Sequence, residues 1–338
     1  MIRILSTFIF LFSTITAFAQ QPNPPGQASK PEELQNEAYL FGHMTHADYG
    51  RLYYSVSTDG LHWTLLNGGK RVFDSYKGHP DICKGHDNRY YIAGNNSDDD
   101  PQIRFWVSDD LIDWKEFGSY TPNLKSTPGY SEAMQRIGAP KLFFDKASQQ
   151  YLLSWHTPHK NGTREDAEIY WASQRTLYVL SKDLKTFSPA PQKLFDWNIG
   201  TIDVVIRKEG ENYYAILKDE AYPTLYWVTG KTIRIARSKS LTGPYSEPSQ
   251  PVSPNFREAP TIIPSPNGKA WYLYYEQYPG VSYGLSISDN LNGPWYQASG
   301  YTFHSTWDKY SLPSKVRHGC MITISHEEYN ALIAKFGN

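Results

Sequence analysis

The 338-residue chain holds only two cysteines, Cys83 and Cys320, too few for a disulfide framework to carry a fold of this size. Buried free thiols are the expectation, with a single Cys83–Cys320 bridge closing a long loop as the alternative. The chain has no excess of either charge, its formal net charge being −1, and no basic stripe interleaved with aromatics, so nothing favours nucleic acid as a partner. It also lacks an apolar run of membrane-spanning length, because the one from Ile4 to Phe12 is too short. That run follows Arg3 and leads to Ala17-Phe18-Ala19, the layout of a cleavable export signal over residues 1–19. No Cys stands near the cleavage point to accept a lipid. The expectation is an exported protein of the periplasm or the medium with no membrane partner. Residues 20–36, polar and rich in Pro, are expected to form a flexible leader, leaving a single domain over 37–338.

Aromatic residues are abundant, with 26 Tyr and 10 Trp. Flat rings with polar edges suit β-sheets and the faces of sugars alike, so composition alone does not choose between them. Self-similarity is more specific. A segment of the form Ser-x-(Asp/Ser/Asn)-(Gly/Leu) followed by an aromatic begins at Ser57, Ser108, Ser181, Ser238 and Ser288. Each copy follows a strand of alternating character such as Leu52–Val56 or Tyr283–Ile287, and its turn residues lead to an aromatic that opens the next strand. A period of about fifty residues with four strands per unit predicts an all-β, five-bladed β-propeller, with a β-sandwich as the plainer alternative. The first unit has no opening strand of its own, and the run Val316–Ile324 is a strand without a repeat. Pairing the two in one blade closes the ring. A short helix is expected from Ser325, with Glu327 and Glu328 in its first turn and Leu332, Ile333 and Phe336 beyond.

The starts of the innermost strands converge on one mouth of a propeller's channel. Here they carry His318, His79 and Asp81, Gly138-Ala139, Asp203 and Glu258. Carboxylates from different blades facing one pocket repel, so one is pushed toward the neutral form while another stays ionised. Such a pair serves glycoside hydrolysis, in which one carboxyl protonates the leaving oxygen and another activates water. Asp203 stands in an apolar strand start, where an unpaired acid is costly. Glu258 has Arg257 beside it as a plain ion-pair partner, Asp81 follows Pro80 in a turn, and His79 and His318 also suit satisfied histidines at strand ends. Trp155, His156, Trp171 and Trp227 are candidates for stacking on sugar or for packing between blades. Asp98-Asp99-Asp100 fits a solvated acidic turn better than a calcium loop.

These residues, together with Tyr39-Leu40-Phe41, Ser57-Thr58-Asp59-Gly60, Gly138-Ala139-Pro140, Ile202-Asp203, Ser240-Leu241-Thr242-Gly243-Pro244, Glu258-Ala259-Pro260 and Arg317-His318-Gly319, resemble glycoside hydrolase family 43 over nearly the whole mature chain. The resemblance implies an inverting glycosidase of the arabinofuranosidase or xylosidase kind, acting as a monomer on a plant-type carbohydrate. Asp203 would orient the donor and tune its pKa, and Glu258 would be the general acid. The family's base is an Asp before Pro; His79-Pro80 stands there, with Asp81 as the replacement base one step deeper. His79, Trp155 and His318 would contact substrate. Gly138 stands where similar enzymes often have Trp. No metal is required, although a Ca²⁺ or a water in the channel near His318 is compatible with the resemblance. The alternative is a glycan-binding propeller that has lost hydrolysis.

Overall fold

The computed structural model describes residues 37–130, 136–159, 162, 165–225, 228–277, 282–298 and 308–337. The expected export signal and leader, and Trp227, lie outside these residues.

The chain enters through β1 (Glu37–Thr45), β2 (Tyr53–Ser57) and β3 (Thr64–Leu65). A second blade follows as β4 (Ile82–Lys84), β5 (Tyr90–Gly94), β6 (Ile103–Ser108) and β7 (Lys115–Tyr120). The third holds β8 (Gly138–Asp145), β9 (Gln150–Pro158), a short helix α1 (Ala167–Ala172), β10 (Gln174–Ser181) and β11 (Gln192–Lys193). The fourth is β12 (Thr201–Glu209), β13 (Asn212–Asp219) and β14 (Thr232–Ser238). The fifth is β15 (Arg257–Pro264), β16 (Trp271–Gln277), β17 (Tyr283–Ser288) and β18 (Tyr296–Gln297). Finally β19 (Val316–Ser325) returns to the first blade, giving the order β19-β1-β2-β3, and α2 (His326–Phe336) follows. The ring is therefore closed by an antiparallel pairing of β1 with β19, Tyr39 opposite Thr323 and Phe41 opposite Met321. Ser325 and Glu328 form a capping box on α2, whose Leu332 and Phe336 are buried while Ile333 stays partly exposed.

The repeated turn is explained by its own hydrogen bonds. In the first blade the N–H groups of Leu61 and His62 both donate to Asp59 Oδ1 at 2.8 Å, and that of Gly60 donates to Ser57 Oγ at 2.9 Å. Asp110 and Asp183 do the same in the second and third blades. Between blades the faces are filled by aromatics, such as Tyr39, Phe41, Trp63, Tyr274 and Tyr283 where the fifth meets the first. Each such side chain contributes about 1.5–3 kcal/mol by leaving water.

The fourth blade departs from the four-strand expectation, with three strands among the described residues. Pro248 and Pro251 have no N–H to give to a ladder. The chain beside β14 instead bonds at every third residue, Ser246 to Arg237, Ser249 to Ile235 and Val252 to Ile233, at 2.8–2.9 Å. Both cysteines are free thiols, and Cys320 Sγ accepts the N–H of Ile82 at 2.9 Å.

Candidate active site

Four of the five innermost strands gain one extra residue where they enter the channel. The register of β8 slips between Gly138 and Lys141, that of β12 between Ile202 and Val205, and that of β15 between Glu258 and Thr261. In β19 the slip falls at His318, between the pairs Arg317–Met44 and Gly319–His43. A bulge re-aims the side chains beside it. In β8, β12 and β15 the residue at the bulge has a left-handed backbone: Ala139 (φ 41°), Asp203 (φ 52°) and Ala259 (φ 47°). Asp tolerates that region better than most residues.

Directly across from the bulges stand the ends of the second strands. Gly138 pairs with His156, Ile202 with Lys218, and Glu258 with Glu276. These three partners, with Tyr49 and Arg317, are site residues that the strand-start argument missed. Their signal was present as polar residues closing apolar strands, in Trp155-His156, Leu217-Lys218 and Tyr275-Glu276.

His318 is the centre of the group. Its Nδ1 lies 2.7 Å from Glu276 Oε2, and its Nε2 lies 3.5 Å from Glu258 Oε1 and 4.0 Å from Asp203 Oδ2. Glu276 is fully buried and braced by Arg317 Nε at 2.6 Å and by the backbone N–H of His318 at 3.0 Å. Burial opposes the imidazolium, but Glu276, Glu258 and Asp203 outweigh it and raise the pKa of His318 to about 9. A fixed positive charge thus sits between the two acids. Burial pushes the Asp203 carboxyl up, but His318 and the other basic groups around it hold it well below the usual range. Glu258 is also lowered: burial opposes, while Lys218 Nζ at 2.9 Å and the His318 charge prevail. Arg317 Nη2 is 3.3 Å from its other oxygen. Lys218 is shared in turn with Glu220, which pairs with Lys231. Arg257 is not the partner of Glu258; its guanidinium donates to the carbonyls of Asn255 and Phe256.

His79 faces this group, its ring 4.7 Å from that of His318, and Tyr49 covers both, with its hydroxyl 2.8 Å from His79 Nε2. Burial, helped by the charge of His318, lowers the His79 pKa to about 3. His156 is lowered to about 3 by burial. Nδ1 of His79 and Nδ1 of His156 are buried without a hydrogen-bond partner among the described residues. His156 also accounts for Gly138: a Cβ there would lie 1.9 Å from His156 Nε2. The imidazole occupies the space that a side chain at 138 would take.

Asp81 is placed apart. Its Oδ2 accepts the N–H of Leu142 at 2.6 Å, and Oδ1 lies 3.8 Å from Lys141 Nζ. It lines a cavity of about 10 Å³ with Ser154 and Val204, room for about one water. Burial raises its pKa against the pull of Lys141 and Leu142. Its partners belong to the channel wall between the second and third blades rather than to the His318 group. Trp155 is buried in the layer between blades, its ring 6.1 Å from that of Tyr120. Trp171 lies under the Arg136 guanidinium, 4.9 Å away, and Arg136 is paired with Asp98. The acidic turn is thus tied to a cation on one side, and Asp100 closes it by accepting from Gln102 N–H.

Ligand-type atoms gather in two groups of three, His79-Asp203-His318 and Glu258-Glu276-His318, each within 4.8 Å. Neither suits Ca²⁺, which takes six to eight oxygens. The carboxylates of the second group are paired with Lys218 and Arg317, which would have to give way to an ion held there. Among the described residues no helix is long and apolar enough to cross a membrane.

The five-bladed propeller is the fold shared with solved glycoside hydrolase family 43 enzymes. Residues 35–330 match the family model described as "Probable glycosyl hydrolase domain", and the chain belongs to that family, which is related to glycoside hydrolase family 43. A curated α-L-arabinofuranosidase of Bifidobacterium longum is 31% identical over 129 residues, 35% of this chain and 12% of that protein, so the matched stretch is a small part of the relative. Among solved structures, the arabinoxylan arabinofuranohydrolase of Bacillus subtilis in complex with cellotetraose superimposes with a TM-score of 0.56 at 16% identity, over 80% of this chain and 65% of that one. An exo-β-1,3-galactanase of Phanerochaete chrysosporium with galactotriose gives 0.51 at 13% identity, over 77% and 53%. At these identities the likeness is one of fold.

Proposed function

We propose that the protein is an exported, inverting glycosidase that cleaves a plant-type glycan at the mouth of its channel. The observation that carries this is the convergence of Asp203 and Glu258 from adjacent blades on the His318 imidazole, within 4.0 Å. In this reading Glu258 delivers a proton to the departing oxygen. To do so it must take up a proton despite Lys218, which Glu220 is placed to draw away as the sugar enters. Asp203, ionised and fixed on the Ala259 N–H, faces the charge that develops on the sugar ring and keeps the proton affinity of Glu258 up. Asp81, set apart from this group, is the base in this reading only through Oδ1, the oxygen not held by backbone, and the one-water cavity beside it. His79 and His156 offer their unpartnered nitrogens to sugar hydroxyls. The curated arabinofuranosidase, 31% identical over 129 residues, supports arabinofuranose as the released sugar.

A second reading, a glycan-binding propeller without turnover, is favoured by His79 standing in the base position and by the two cations on Glu258. One experiment separates them. Arabinan, xylan and galactan are incubated with the protein and released monosaccharides are quantified, with the anomer followed by NMR. Release of the inverted anomer, abolished by Asp203→Asn and by Glu258→Gln, supports hydrolysis. Binding without release, retained in both variants, supports the second reading.

A further inference from the structure

Away from the mouth, a groove of about 770 Å³ lies between the third and fourth blades, within the range of about 300–1,000 Å³ typical of ligand sites. Its floor is made by Tyr178 and Tyr245 and its sides by Gln192, Asn198, Thr242 and Trp197. The Trp197 indole is stacked on Phe195, ring centroids 4.1 Å apart and 6° from parallel, and Phe195 is itself wedged edge-on against Tyr245. One face of the indole is thereby closed and its orientation fixed, so the groove meets the opposite face or the edge. The charged residues on the rim are of both signs, and Lys193 and Asp196 lie 3.7 Å from one another. The groove therefore selects for neither cation nor anion. A rigid aromatic plane beside amide and hydroxyl groups, with Lys193 set against Asp196 and Glu247 on the rim, matches the apolar face and equatorial hydroxyls of a neutral sugar.

The position is as telling as the lining. Asn198 and Ile199 belong to the segment that runs into β12, whose third residue is Asp203. Asn198 is held there by Arg175 Nη2 at 3.0 Å. Groove and mouth are joined by one short, anchored stretch of backbone.

We propose that this groove is a second glycan-binding site, which grips a neutral stretch of polysaccharide at a distance from the bond held at the mouth. The proposal rests on the reading of the protein as glycan-active. The site holds a chain by stacking a sugar ring on Trp197 and orienting it with Gln192, Asn198 and Thr242.

The test uses the protein carrying Asp203→Asn, so that the glycan is not consumed, in affinity electrophoresis through soluble arabinoxylan, arabinan and galactan. Adding Trp197→Ala is expected to weaken retention about tenfold, the worth of one well-placed ring contact. Asn198→Ala and Thr242→Ala, which leave the Phe195–Trp197 stack intact, are expected to weaken it by smaller steps, and melting temperatures are recorded for every variant. Retention unchanged in all three overturns the groove. So does an absence of retention on every polysaccharide when the unmutated protein hydrolyses one of them. An absence of both retention and hydrolysis overturns the underlying glycan reading as well, so the two failures are told apart.

Discussion

Asp203, on the inner strand of the fourth blade, accepts the backbone N–H of Ala259 on the fifth at 3.1 Å, so this carboxylate of the His318 group also ties two blades together. Two substitutions separate these duties. Asp203→Asn keeps an oxygen for the Ala259 N–H and should melt within a few degrees of the parent, while turnover falls by about 10²–10⁴. Asp203→Ala strands a buried donor and should cost a further 1–3 kcal/mol or so. Calorimetry and a released-sugar assay on both proteins check this; equal melting temperatures for the two would refute the tie.

The pairing of Lys218 with both Glu258 and Glu220 predicts a different signature. Lys218→Met leaves two buried carboxylates without their shared cation, a loss on the order of 3–5 kcal/mol. If the variant retains its fold, the proton of Glu258 should leave at higher pH, moving the limb of the pH–rate profile that reports the acid upward. Thermal melts and a pH–rate profile are the measurements, and an unshifted limb would count against Glu258 as the donor.

Stability should form a plateau in pH. For His318, whose pKa is raised to about 9 in the folded protein, the stabilisation is complete below the unfolded value of about 6.5 and is lost as pH rises through about 9. His43, His79 and His156 behave oppositely. Burial lowers them to about 4, 3 and 3, so the unfolded chain binds protons that the folded one refuses, and stability falls as pH drops below about 6.5. Melting temperature followed from pH 4 to 10 should fall on both sides, and His318→Gln should flatten the alkaline side.

Gly138 is predicted to be intolerant because of His156. A methyl group there collides with the imidazole at three ring atoms, so Gly138→Ala must push His156 away from the mouth. The expected cost is about 1–3 kcal/mol, with a larger effect on sugar affinity than on melting. Gly138→Ala combined with His156→Ala should recover stability without recovering affinity, which inhibition by free arabinose would report.

The propeller was legible because each repeated turn carries its own chemistry. Ser57 and Asp59 satisfy the N–H groups of Gly60, Leu61 and His62 locally, so the motif survives in the sequence whatever packs around it. Asp203 and Glu258 were legible because acids seldom open apolar strands. What stayed hidden depends on register. Whether Lys218, Glu276 and His156 meet the inner strands at the mouth is decided by the bulges at Asp203, Ala259 and Ala139, and no residue type announces an extra position when Ala, Asp and Ala occupy it. The broken outer edge of the fourth blade was written in Pro248 and Pro251, whose missing N–H groups limit pairing.

The joining of β1 to β19 has a kinetic side. The two strands lie far apart in the sequence, so the contact that completes the circle spans nearly the whole described chain and is among the slowest to form. Until β19 arrives, the inner face of β1 and its Phe41 and Tyr39 stand uncovered, offering an unpaired edge to any neighbouring chain. Refolding from denaturant should therefore show aggregation that rises with protein concentration and is suppressed by dilution, with the final burial of those two rings as its slow optical phase.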